Sequence, residues 1–371
     1  MIKHNANNER IKREYFTFLK EAKRHGEPTV DAAAAALARF EEHGKYRDFK
    51  TFHREQAIAF KKYLADQNNA VTQRKLSKAT LRGTLTQLKR FFQWLAVQPG
   101  YKSRLNYSDA EYFNLSDKDS RIATARRSRP VPTLEQVRQV LCGMPGSSEI
   151  EQRDRAVVAF ALLTGARDGA IASMKLKHVD LIAGSVFQDA REVKTKFSKT
   201  FTTYFFPVGE DVRGFLADWI SYLRKVRRWD DEDPLFPATH MVLNRAMQWE
   251  ANGVEPRHWS NADAIRRIFR DAFAAARYPY FNPHSLRNTL VRLGQTICKN
   301  PEDFKAWSQN LGHEHVLTTF TSYGEVAAQR QGEIIQTLRA GTGGAGGGST
   351  DALAEAVVQK MLAMGLVQAS K

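Results

Sequence analysis

The chain has 371 residues, 42% of them hydrophobic, which is long for one domain and enough to give each of two its own core. Its two cysteines, Cys142 and Cys298, are too few for a disulfide framework or a cysteine-based zinc site; together with the lack of a signal-peptide core or any long apolar run, this points to a cytoplasmic, non-membrane protein. The net charge of +16 is uneven: residues 1–130 hold 27 basic against 14 acidic residues, so a polyanion is the expected partner of the first third.

In chain order, the spacing predicts helices over 8–24, 30–41 and about 51–67. The clearest pattern covers 77–97, where Leu81, Leu85, Leu88, Phe92 and Leu95 recur at intervals of four and three and form one buried stripe. Lys78, Arg82 and Lys89 lie on a neighbouring face, and residues 71–100 contain no acid, which suits contact with a DNA backbone. After Leu115 the apolar periodicity stops. Residues 119–131 read as a non-helical basic linker ending in Arg126, Arg127 and Arg129, which separates a helical region at 1–118 from a second domain at 132–340. Thr133 and Gln136 form a capping box ahead of the next helix, and RAVVAFALLTGAR is apolar enough to be buried all round. Residues 178–208 switch to β-branched and aromatic residues and predict a small antiparallel sheet. Helices resume at 211–228, 261–277, 284–298, 302–310 and 316–323. The fold class is therefore mainly α with a small antiparallel β-sheet, in two domains. A glycine-rich tether at 341–350 leads to a capped helix at 351–371, whose Leu353, Val357, Met361 and Met364 share one face and need a groove on the same domain or on another copy.

Three segments carry candidate chemistry: TGARDGAIASMKL around Arg167, HSLRNTLVRLG with His284 and Arg287, and LGHEHVLTTFTSYG with His313 and Tyr323. Each is modest alone, since an arginine at a helix end is usually a surface residue and a tyrosine beyond a histidine is usually core. Their order behind a basic helical region is far more specific. No carboxylate cluster for paired cations and no phosphate-binding glycine loop with its lysine stands out, so neither metal nor nucleotide is implied.

With these motifs, residues 75–340 resemble the tyrosine recombinases of the phage-integrase kind. The resemblance implies a two-domain DNA clamp, a core-binding domain followed by a mixed α/β catalytic domain, acting on double-stranded DNA at specific recombination sites. It also implies Tyr323 as nucleophile forming a 3′-phosphotyrosine, Arg167 and Arg287 on the non-bridging phosphate oxygens, His284 in proton transfer and His313 as a hydrogen-bond donor. A hairpin lysine would protonate the leaving 5′ oxygen; the Thr195-Lys196 pair favours Lys196, with Lys194 as the alternative. No cofactor is expected, a homotetramer would form on paired sites with accessory or companion proteins, and integration or excision of a mobile element is the natural task. Two departures stand out: Ala170 occupies the place where relatives carry an acid after the first arginine, leaving only Asp168 nearby, and Tyr323 follows His313 by ten residues rather than nine. Competing readings are an architectural DNA-binding protein without cleavage and a type IB topoisomerase-like enzyme.

Overall fold

The computed structural model describes residues 4–70, 72–125 and 130–313, and the chain divides into two compact units, Met1–Arg127 and Ser128–Lys371. The expected helices at 316–323 and 351–371 lie outside the described residues.

In the first unit, helices α1 (Ala6–Thr17), α2 (Glu27–His43), α3 (Arg54–Asp66) and α4 (Lys78–Leu95) enclose an aromatic core. Ser77 starts α4 by accepting the Thr80 amide hydrogen bond at 3.1 Å. The whole expected stripe from Leu81 to Leu95 is buried. It meets Phe40, Phe52 and Phe113, with Phe52 and Phe92 stacked at 3.7 Å between centroids; burial of each such ring contributes about 1.5–3 kcal/mol. The reading of 119–131 as wholly non-helical needs correction. Residues Asp117–Thr124 form α5, because Ser116 caps the Asp119 amide and two acids occupy the first turn, offsetting the weak apolar pattern.

The second unit is built on α7 (Glu149–Thr164), whose residues 156–164 are all buried, as its continuous apolar run requires. Capping boxes start both α6 (Leu134–Gly143) and α7. A three-stranded antiparallel sheet, β1 (Val179–Asp180), β2 (Ser185–Gln188) and β3 (Phe201–Tyr204), lies in the expected region. The short α8 (Asp168–Ile171), then α9 (Glu210–Lys225), α10 (Asp263–Ala275), α11 (Ser285–Ile297) and α12 (Pro301–Asn310) complete the helical part. Between α9 and α10 stands a second hairpin, β4 (Pro237–Leu243) and β5 (Trp249–His258), which the sequence reading leaves unassigned. Its prolines, glycine and two register irregularities break the alternation on which that reading depends. The architecture is mainly helical with small antiparallel sheets.

Candidate active site

The site grows from two helix ends in the second unit. Helix α7 stops at Gly165, where φ is +60° and an added Cβ would lie 2.9 Å from Leu311 and 3.0 Å from Leu290, so only glycine makes this turn. Two residues later Arg167 caps α8 in an extended conformation, half-buried. Helix α12 ends at Leu311, and Gly312 turns with φ +70° where a Cβ would meet the Phe201 ring at 2.7 Å. That turn presents His313.

Arg287, on the first turns of α11, is 2% exposed and joins the two ends. Its Nη1 donates to the Gly165 carbonyl at 2.5 Å and its Nη2 to the Leu311 carbonyl at 2.6 Å. Nη2 also lies 3.0 Å from His313 Nε2. Since a guanidinium only donates, Nε2 accepts and the neutral ring carries its proton on Nδ1. Desolvation, followed by the positive charges of Arg287 and Arg167, pushes the His313 pKa down to about 4. His284 is not inside the helix but caps α11. It remains exposed, yet desolvation and then the charges of Arg287 and Arg167 lower its pKa, while Asp168 raises it. Both imidazoles are held toward the neutral form.

Lys196 sits in the short 3-10 turn that joins β2 to β3, beside Phe197 and Ser198 in left-handed conformations. It lines a narrow cavity with Arg167, Thr195, Gln188, Thr203 and Arg287, and its charge acts on both His284 and His313. Lys194 faces elsewhere: its amide is tied to Ser173 Oγ at 2.9 Å and its charge acts on His258. Arg167, Lys196, His284, Arg287 and His313 thus share one electrostatic neighbourhood.

Asp168, the acid nearest Arg167 in sequence, is held by Arg266 of α10 through Nε at 2.9 Å and Nη2 at 2.8 Å. Sequence reasoning missed Arg266, which is 98 residues away from its partner and sits in an arginine-rich helix where no single position is marked. Among the described residues, no group of three His, Cys, Asp or Glu side chains is placed to hold a metal ion, and no helix is long and apolar enough to cross a membrane.

On the first unit, Lys78 pairs with Asp119 at 3.0 Å and Lys89 with Glu111 at 2.6 Å, whereas Arg82 is exposed. Both acids lie beyond residue 100, outside the acid-free stretch of the sequence. Tyr323, Arg126, Arg127 and Arg129 fall outside the described residues.

Residues 132–330 match the model of the phage integrase family. The chain is 22% identical over 317 residues to the tyrosine recombinase XerC of Lactobacillus delbrueckii subsp. bulgaricus, covering 83% of this chain and 92% of the relative. It is also 22% identical to XerC of Halalkalibacterium halodurans, covering 87% and 95%. Among solved structures, a lambda integrase dimer bound to a COC′ core site superposes with a TM-score of 0.59 at 13% identity, over 88% of this chain and 79% of that one. The XerH site-specific recombinase in a post-cleavage complex with a palindromic difH substrate gives 0.55 at 18% identity, over 88% and 85%.

Proposed function

The chain belongs to the phage integrase family of tyrosine recombinases, and from that premise we propose that it cleaves and rejoins duplex DNA at specific sites through a covalent 3′-phosphotyrosine intermediate. The observation that carries this reading is the meeting of two arginines and one lysine around a single cavity, with two histidines beside it that those charges hold toward the neutral form. Phosphoryl transfer places negative charge on the non-bridging oxygens, so positioned cations are what the reaction needs most.

In the proposed mechanism the Tyr323 hydroxyl attacks phosphorus. Its proton passes to His284, whose depressed pKa leaves the imidazole free to accept it near neutral pH. Arg167 and Arg287 offset the charge on the non-bridging oxygens, and the Nδ1–H of His313 supplies a further donor. Lys196 gives a proton to the departing 5′ oxygen as the P–O bond breaks. One phosphoester replaces another, so the 5′ hydroxyl of a second strand reverses the step without an external energy source. Protein cations supply the charge, and cleavage therefore persists in excess chelator.

Grip on the duplex is assigned to the basic first third, with Arg82 as the open contact on α4 and Arg126, Arg127 and Arg129 following it. Lys78 and Lys89 join after leaving Asp119 and Glu111. A tetramer on two sites and integration or excision of a mobile element complete the reading.

The test is Tyr323→Phe on a nicked suicide substrate carrying a candidate site. Binding stays near wild type while covalent attachment disappears. Attachment that survives this change removes Tyr323 from the nucleophile's role.

A further inference from the structure

Arg167 and Lys196 stand on separate pieces of chain, and one buried hydroxyl joins those pieces. Arg167 caps the start of α8, while Lys196 follows the loop that leaves the end of β2. Ser173 lies just past the other end of α8 and is buried. Its Oγ accepts the hydrogen bond of the Lys194 amide at 2.9 Å, two residues before Lys196. The hydroxyl hydrogen is left for the carbonyls of Gly169 and Ala170, each 3.1 Å away on α8 itself. The Lys194 carbonyl rests on the same helix, since a Cβ added at Gly169 would lie 3.8 Å from it. Helix α8 therefore carries Arg167 at one end and holds the approach to Lys196 along its side.

The earlier part of the loop is fixed by other means. Val193 is buried, and its amide donates to the Asp189 carbonyl at 2.7 Å. Buried His178 accepts from the Lys175 amide on Nδ1 at 3.0 Å, so Nε2 carries the ring proton and donates to Glu192 at 2.9 Å. These ties hold residues 189–193 whether or not Ser173 has its hydroxyl. Beyond Lys194 the chain runs exposed from Lys196 to Ser198 and turns through two left-handed residues. The Ser173 contact is thus the last of these ties before the lysine, and movement there carries the turn with it. Without the hydroxyl the Lys194 amide loses its acceptor and gains by moving toward water. A proton donor has to meet the departing oxygen within hydrogen-bond reach, and a displacement of about 1 Å is enough to cost rate.

We propose that Ser173 is a positioning residue for leaving-group protonation: its hydroxyl sets Lys196 against Arg167, on the reading that Lys196 supplies the proton.

The experiment compares full-length wild type and Ser173→Ala on two suicide substrates, one ordinary and one with sulfur in place of the bridging 5′ oxygen, which departs without needing a proton. Cleavage of the ordinary substrate should fall at least about tenfold in the variant, while the sulfur substrate is cleaved within about twofold of the wild-type rate. A structural defect of the whole site slows both substrates alike, so equal losses overturn the proposal, as does no loss on either. Hydrogen exchange of the free proteins supplies a readout without DNA. Faster exchange confined to residues 194–200 is expected in Ser173→Ala; unchanged exchange there, or loosening that extends through α7, overturns the proposal. Lys196→Ala is run in parallel. If sulfur fails to restore its cleavage, the proton-donor reading of Lys196 falls and this role with it, whereas a Lys196→Ala rescued by sulfur beside an unrescued Ser173→Ala sinks the role of Ser173 alone.

Discussion

Arg287 Nη2 and His313 Nε2 meet at 3.0 Å, and the contact requires the histidine to be neutral. Folded, His313 takes up a proton only near pH 4; unfolded, it does so near pH 6.5. Between those values the unfolded chain binds more protons, so the contribution of this site to stability is complete above about pH 6.5 and is lost as pH falls toward 4. Thermal unfolding of His313→Gln should therefore weaken less between pH 7 and pH 4.5 than that of the wild type. Parallel curves would mean that the pair does not carry this linkage.

Arg287 bridges two helix ends through its guanidinium. Arg287→Lys loses the paired donation to Gly165 and Leu311, and denaturant titration should show a loss of about 2 kcal/mol. Arg167→Lys, at the half-buried start of α8, keeps the charge but loses the guanidinium fork. Cleavage of the suicide substrate should fall at least about 100-fold in both. An Arg287→Lys protein of unchanged stability would contradict its bridging position.

Lys196 and Lys194 should also part company. Lys196→Ala is expected to slow cleavage about 100- to 10,000-fold, as loss of a general acid does. A substrate whose bridging 5′ oxygen is replaced by sulfur, a far better leaving group, should recover most of that rate. Lys194→Ala should cleave the ordinary substrate at close to the wild-type rate. Equal defects in the two variants, or no recovery with sulfur, would remove Lys196 from proton donation.

Asp168 raises the His284 pKa against Arg287, Arg167 and Lys196, and Arg266 fixes that carboxylate. Asp168→Asn should drive the His284 midpoint lower in a ring-proton NMR titration of the free protein. Asp168→Glu should bring part of it back. A midpoint unmoved by Asp168→Asn would place the carboxylate too far away to act.

Local signals made much of the molecule legible from its sequence. The Leu81–Leu95 stripe, the Thr133–Gln136 box and the apolar run of α7 are one-dimensional patterns, and each appears as the corresponding element. The motif arginines and histidines were nameable because their spacing matches a known constellation. What escaped depends on distant partners or on turn geometry. Arg266 acquires meaning only through Asp168, and Lys78 and Lys89 find acids outside their own acid-free stretch. Lys196 rests on two left-handed residues, Phe197 and Ser198, that are not glycine and so give no warning of the turn. The β4–β5 hairpin lacks clean alternation, and its register slips twice.

Because Arg287 ties together the ends of two helices, evolution cannot discard it as freely as a residue that serves chemistry alone. A lineage that abandons strand cleavage while keeping its hold on DNA no longer needs the proposed nucleophile Tyr323, whereas replacing Arg287 would leave the carbonyls of Gly165 and Leu311 buried without their donor. Decay should therefore follow an order, with the proposed nucleophile drifting first and the buried guanidinium last. A descendant with this arginine and no tyrosine would be a retired enzyme, its former chemistry still recorded in the part that its fold could not give up.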